Sequence, residues 1–271
     1  MNSKTPAFPI ILVLTGIAFL FCFCGETERG SLQEAPEPAP DEMVTDSRSG
    51  VFQTGQEQAG EPIPETAEDL SMVPLDVQLP QPRFVGTPQT MNVPDYEDRP
   101  YGRTRPAFYV PAGTRNLALD CPVTSSDTMP VIGELGYITN GDKEAQEGSY
   151  VELGPFLQHV TIELETPADI YAVAVWHNHL WPRIYYDVIV QISPDPAFQE
   201  NVYTIFNNDH DNSAGFGAGK DRSYVETYQG RIINARGIRG RYIRLYSNGS
   251  NYDDLNHYSE VEVYGIPVST S

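Results

Sequence analysis

Cysteine is scarce in this chain: Cys22, Cys24 and Cys121 are the three among 271 residues. With Cys121 alone in the C-terminal half, no disulfide forms within that half and no cysteine cluster for zinc exists there. Basic residues are also scarce, 17 Lys and Arg against 37 Asp and Glu, for a formal net charge of −20. From residue 74 onward the chain holds 25 acidic and 14 basic residues, so a phosphate backbone would be repelled and nucleic-acid binding is excluded. No long run shows helical periodicity, which argues against an α-helical domain. There is no His-Glu pair at helical spacing and no nucleophile elbow, so the sequence offers no hydrolase signature.

Hydrophobic runs, by contrast, open the chain. After Lys4, residues Ala7 to Cys24 are almost wholly apolar, the pattern of an export signal. The run has no polar face, and its length is at the lower edge of a membrane span, roughly 18–20 residues. Cleavage, retention as a single anchor, and lipidation at Cys24 or Cys22 are the three fates open to it. Cys24-Gly25 is similar to the start of a bacterial lipoprotein, although Phe23 stands where a small residue is usual. All three fates place the rest outside the cytoplasm, at the cell envelope on a periplasmic or extracellular face. The single basic residue before the run and the acidic stretch after it agree with this orientation.

Residues 25–73 hold twelve acidic residues against Arg29 and Arg48, with abundant Pro, Gly, Ser and Gln. Such a stretch cannot bury enough apolar surface to offset ordering entropy and is expected to be a disordered tether. Residues 74–112 are proline-rich and interleaved with aromatics, which predicts an extended arm lying partly along a folded domain. Residues 113–266 read as that domain and 267–271 as a short tail.

The domain reads as all-β. Short runs rich in β-branched and aromatic residues recur: 159–164, 170–176, 186–192, 202–206, 241–246 and 260–264. Turn clusters such as Glu165-Thr-Pro-Ala-Asp and Ser193-Pro-Asp-Pro separate them, the spacing of a sandwich or jelly roll. Alternation assigns Val160, Ile162, Leu164, Ile243, Leu245, Val261 and Val263 to the inside. Trp176 falls in strand register and reads as core.

Three loops concentrate the polar and aromatic residues that could hold a ligand. Residues 176–186 offer flat rings at Trp181 and Tyr185 and planar polar groups at His177, His179 and Arg183. The long insert 206–222 offers Asn208, His210 and Asn212, and the segment before the last strand offers Tyr252 and His257. A different chemistry is also open. His177 and His179 would share one face of an extended chain, and with His210 or His257 could bind zinc for hydrolysis.

Several of these segments, in order, are similar to one family. Asn116-Leu-Ala-Leu, Pro122-Val-Thr-Ser-Ser, Thr139-Asn-Gly-Asp, Gln158-His-Val-Thr-Ile-Glu-Leu, Tyr186-Asp-Val-Ile-Val-Gln-Ile-Ser-Pro-Asp, Arg241-Tyr-Ile-Arg-Leu and Ser259-Glu-Val-Glu-Val-Tyr-Gly resemble the discoidin, or coagulation factor 5/8 type C, domain. The galactose-binding-like family 32 carbohydrate-binding modules are bacterial relatives of that domain. The resemblance implies an eight-stranded jelly-roll β-sandwich that performs no chemistry and binds through loops at one end. Carbohydrate is the first expected ligand and an envelope protein the alternative. The resemblance also implies a structural Ca²⁺ held by Asn140, Asp142 and Glu260, with the Ala145 carbonyl nearby. Asn140 in place of Asp weakens that set, since calcium favours several charged oxygens.

Overall fold

The computed structural model describes residues 71–82, 96–97 and 105–268. The apolar N-terminal run, Cys22, Cys24 and nearly all of the acidic stretch lie outside the described residues. In chain order the strands are β1 (Met72–Pro74), β2 (Tyr96–Glu97), β3 (Tyr109–Pro111), β4 (Arg115–Asn116), β5 (Val123–Ser125), β6 (Val151–Leu153) and β7 (Gln158–Trp176). They continue with β8 (Ile189–Ser193), β9 (Tyr203–Asn207), β10 (Ser223–Tyr224), β11 (Arg231–Ser247), β12 (Asn256–Tyr258) and β13 (Glu260–Pro267). One 3-10 turn, Leu135–Thr139, interrupts them.

Two strands organise the rest. β7 runs for 19 residues and β11 for 17, and they pair antiparallel along most of that length. The first part of β7, residues 158–163, pairs with β5 on one side and with 242–247 of β11 on the other. Beyond β11 come β8 and then β9. The second part of β7, residues 170–176, pairs with β13 and with 231–234 of β11, and β4 extends this second sheet. A single ladder thus crosses from one sheet to the other. Eight strand segments, with the two-residue β4 added at one edge, form the antiparallel jelly-roll sandwich.

Glu165-Thr-Pro-Ala-Asp reads in sequence as a turn between two strands, yet β7 runs straight through it. The chain bends there instead of reversing. Pro167 falls in the gap where the β7–β11 register skips, so its missing N–H interrupts no ladder bond. Opposite the bend, β11 shows register shifts between Asn234 and Ile238 and between Gly240 and Tyr242. Arg236 and Gly237 take positive φ, 55° and 78°, and a Cβ at Gly240 would run into the Ile192 side chain. Bulges with left-handed residues are the ordinary device for bending a ladder.

Both inner faces meet in one core. Val160, Ile162 and Leu164 from the first part of β7 pack in the same cluster as Val173 and Val175 from the second, with Ile243, Leu245, Val261 and Val263. The alternate residues of the second part, Ala172, Ala174 and Trp176, face the other way. They are nevertheless fully buried, because the arm covers them: Leu75, Val77 and Phe108 pack on this outer strip. β1 and β3 pair antiparallel, and Leu75 N–H donates to the Phe108 carbonyl at 2.7 Å. Two alanines in β7 leave room for the arm, and Trp176 is capped by Gly230, where a Cβ would clash with the indole.

A sandwich cut to begin at residue 113 therefore exposes an apolar strip. Such a truncation should melt below the chain beginning at residue 71 and bind hydrophobic dyes, and equal melting temperatures would contradict the covering role. Trp176→Ala should cost about 3–5 kcal/mol in urea unfolding, as for other buried large aromatics.

Candidate ligand-binding site at one end of the sandwich

The bend in the ladder sets the site. The loop after β7 and the loop after β11 leave opposite ends of one ladder, and the fold-over brings them together. Tyr185 and Ser250 form an isolated antiparallel bridge, Ile184 N–H donates to Asn251 Oδ1 at 2.8 Å, and Asn251 N–H donates to the Ile184 carbonyl at 3.0 Å. β12 lies alongside β6, and Ile132 bridges Glu152 from the other side. Four chain segments thus converge at one end.

At their junction sits Arg183, with a side chain 8% exposed. Its Nη1 donates to Asp253 Oδ2 at 2.9 Å and faces His257 Nδ1 at 3.4 Å. The Tyr252 ring lies 4.8 Å from the guanidinium carbon and is 66% exposed. Trp181, 54% exposed, stands two residues from Arg183 on the same loop, whose turn is closed by Arg183 N–H donating to the Trp181 carbonyl. His257 Nε2 lies 3.0 Å from Glu152 Oε2, and Tyr150 lies against the imidazole with centroids 5.8 Å apart. An exposed aromatic ring beside a fixed cation offers what a sugar ring needs: a flat face for its C–H groups and a directed donor for its hydroxyls.

The other expected ligand residues have different duties. Tyr185 is not a platform. It is buried and stacked on His177 with centroids 4.4 Å apart, and burial holds its hydroxyl well above the ordinary tyrosine range. His177 is also fully buried, its Nδ1 2.6 Å from Glu226 Oε1. His179 Nε2 bonds the Lys143 carbonyl at 2.7 Å, tying the 140–145 loop to the end of β7, and burial lowers its pKa. One nitrogen of each imidazole is thus bonded to a separate partner, while His177 Nε2 and His179 Nδ1 are buried without one. Among the described residues the one close group of three metal-type side chains is Asp187, Asp209 and Asp211, which contains no histidine.

The polar side chains of the 207–212 segment bond to backbone groups. Asn208 Oδ1 accepts from Val188 N–H, His210 Nε2 bonds the Asp221 carbonyl, and Asn212 Oδ1 accepts from Gly217 N–H. Its side chains close their own loop and tie it to the residues just before β8. Asp209 is buried, accepting from Ser213 and Ala214 N–H. Tyr150, Glu152 and Asp253 are the site residues missed in sequence. Asp253 stands next to Tyr252, but nothing local marks Tyr150 or Glu152, because β6 is three residues long.

The residues of the calcium set do come together. Gly141 N–H donates to Glu260 Oε2 at 3.0 Å, and Glu260 is fully buried with Oε1 lacking a hydrogen-bond partner. Desolvation pushes its carboxyl up to about 9. Asn140 Oδ1 accepts from Asp142 N–H, while Asp142 accepts from Glu144 N–H and the Ser149 hydroxyl. Lys143 pairs with Glu262 at 2.7 Å. A buried carboxylate oxygen without a partner fits a cation. The remaining donors would share it with the turns they already close.

No family model matches the chain, and no curated protein matches it. Among solved structures it is similar to a family 89 glycoside hydrolase from Clostridium perfringens, at 16% identity and TM-score 0.43 over 58% of this chain and 15% of that one. It is similar to the C. perfringens module CpGH89CBM32-4 in complex with GlcNAc-α-1,4-galactose, at 14% identity and TM-score 0.42 over 58% and 97% of the two chains. A chitosan-binding module from Paenibacillus sp. IK-5 aligns at 18% identity and TM-score 0.37 over 56% and 99%. The chain thus spans about a seventh of the length of the glycoside hydrolase.

His257 and His159, in addition to His179, give the domain an acid limit. Burial, with Arg183 adding to it at His257 and Arg244 at His159, pushes both down to about 4. A folded state that keeps them neutral is favoured fully above their unfolded pKa, roughly 6.5, and that contribution is lost as pH falls toward 4. Urea midpoints should fall over this window, and His159→Gln should flatten the fall. A midpoint rising between pH 6.5 and 4 would contradict the assignment.

Proposed function

We propose that this chain is a non-catalytic carbohydrate-binding module of the cell envelope, exported and tethered to a membrane through its N-terminal segment. The observation that supports it is the exposed Tyr252 ring against the fixed guanidinium of Arg183, with a second exposed ring, Trp181, two residues away on the same loop. The ligand is neutral or basic, because the acidic net charge slows the approach of a polyanion.

A second reading, docking of an envelope protein, is favoured by one observation. Met129, Val131 and Phe156 are 81%, 57% and 79% exposed on turns tied to the same end. Asp127 Oδ2 accepts from Gly154 N–H, and Asn256 Nδ2 donates to the Phe156 carbonyl.

The test is titration of the chain against GlcNAc-α-1,4-galactose, chitosan oligosaccharide and an alginate oligosaccharide. Trp181→Ala and Tyr252→Ala should each weaken the best ligand by about 2 kcal/mol, roughly thirtyfold, without unfolding the domain. Preference for alginate, or binding untouched by both variants, would sink the reading.

A calcium ion held by Glu260, Asp142 and Asn140 would be structural. A ligand that binds the native state alone stabilises it by about 2.7 kcal/mol at a hundredfold excess over its Kd. Millimolar Ca²⁺ should raise the melting temperature, EDTA should reverse it, and Glu260→Gln should abolish the difference. A melting temperature indifferent to both would reject the ion.

A further inference from the structure

The glycan reading gives Arg183 a role but leaves open what holds its long side chain in one orientation. We propose that Glu152 and His257 are positioning residues of the ligand site: Glu152 fixes the tautomer of His257, and His257 fixes the guanidinium of Arg183. This inference rests on the reading of Arg183 as the ligand-facing cation.

The geometry allows one consistent proton arrangement. An arginine Nη1 can only donate, so the His257 nitrogen facing it at 3.4 Å, Nδ1, must offer a lone pair. In a neutral imidazole the proton then sits on Nε2, and Nε2 faces the Glu152 carboxylate at 3.0 Å, an acceptor. The other tautomer would set N–H against N–H at Arg183 and a lone pair against a carboxylate at Glu152. Protonation of the ring would place a second positive charge beside the guanidinium.

The surroundings act in the same direction. His257 is 2% exposed. Tyr150 faces its ring from before β6 and Tyr185 from the loop after β7, with centroids 5.8 and 6.0 Å away. Charged neighbours are Arg183, Asp253 and Glu152, and His177 acts on it from deeper inside. Burial and Arg183 together hold the ring far below its ordinary pKa, down to about 4, so it is neutral at pH 7. Nη1 is then committed on both sides, to Asp253 and to His257, and the guanidinium carbon lies 4.8 Å from the centre of the Tyr252 ring. Arg183 Nε is buried, so a guanidinium held in this way offers a ligand Nη2 in a fixed direction, which removes an ordering cost from binding.

Imidazole ¹H–¹⁵N correlation spectra of the full chain at pH 7 read the tautomer with no ligand present. Wild type should show His257 with a protonated Nε2 and a lone-pair Nδ1. A protonated Nδ1 would overturn the proposal. Glu152→Gln, whose amide oxygen still accepts from Nε2, should keep that tautomer. Glu152→Ala should lose it and speed hydrogen exchange at the Arg183 side chain. Affinity for GlcNAc-α-1,4-galactose should fall on the order of tenfold in Glu152→Ala, the loss usual when the outer support of a binding group is removed, and be restored in Glu152→Gln. Unchanged tautomer and exchange in Glu152→Ala would overturn the proposal whatever the sugar does. If no glycan binds wild type, the carbohydrate reading fails, and the spectra still decide the positioning chain.

Discussion

The structure depends on one bent ladder. β7 and β11 are too long for a single face of a domain this size, and they fold over where Pro167 falls opposite the register shift between Gly240 and Tyr242, next to the bulge at Arg236 and Gly237. The bend closes one hydrophobic core between its own two halves. It also returns the two ends of the ladder to the same place, so that loops leaving β7 and β11 bond directly to each other. Arg183, from the first loop, meets Asp253 from the second because of this closure. A flat ladder of the same sequence would place those residues at opposite ends of the strand pair.

Burial then divides the loop residues into two layers. Next to the core lie His177, Tyr185, Tyr258 and Glu226, with ring stacking and one short histidine–carboxylate contact among them. Above them Arg183 and His257 are nearly buried, each against a carboxylate. Trp181 and Tyr252 are exposed at the top. Charge in the middle layer is tolerated because each ionic group has a partner, whereas an unpaired one would cost several kcal/mol. The cost of removing one partner is what keeps the arrangement rigid.

Much of the fold was legible in the sequence. Period-two alternation placed Val160, Ile162, Leu164, Val261 and Val263 inside, and they are there. The continuity of β7 was not legible, because Pro167 in a cluster of turn formers reads as a stop unless the bend is known. For the candidate site, the sequence marked loop regions but did not separate buried side chains from exposed ones. Aromatic and histidine side chains look alike in sequence whether buried or exposed, so nothing separated the buried Tyr185 and His179 from the exposed Tyr252 and Trp181. Glu152 and Glu226 are isolated carboxylates whose partners lie 105 and 49 residues away, a proximity that only the closed fold creates.

A crystal of the chain soaked with a neutral oligosaccharide tests the central claim most directly. The account predicts a sugar ring stacked on Trp181 or Tyr252, with a hydroxyl within hydrogen-bond distance of the Arg183 guanidinium. A sugar bound instead on the 207–219 loop or along the arm, with Arg183 untouched, would contradict it.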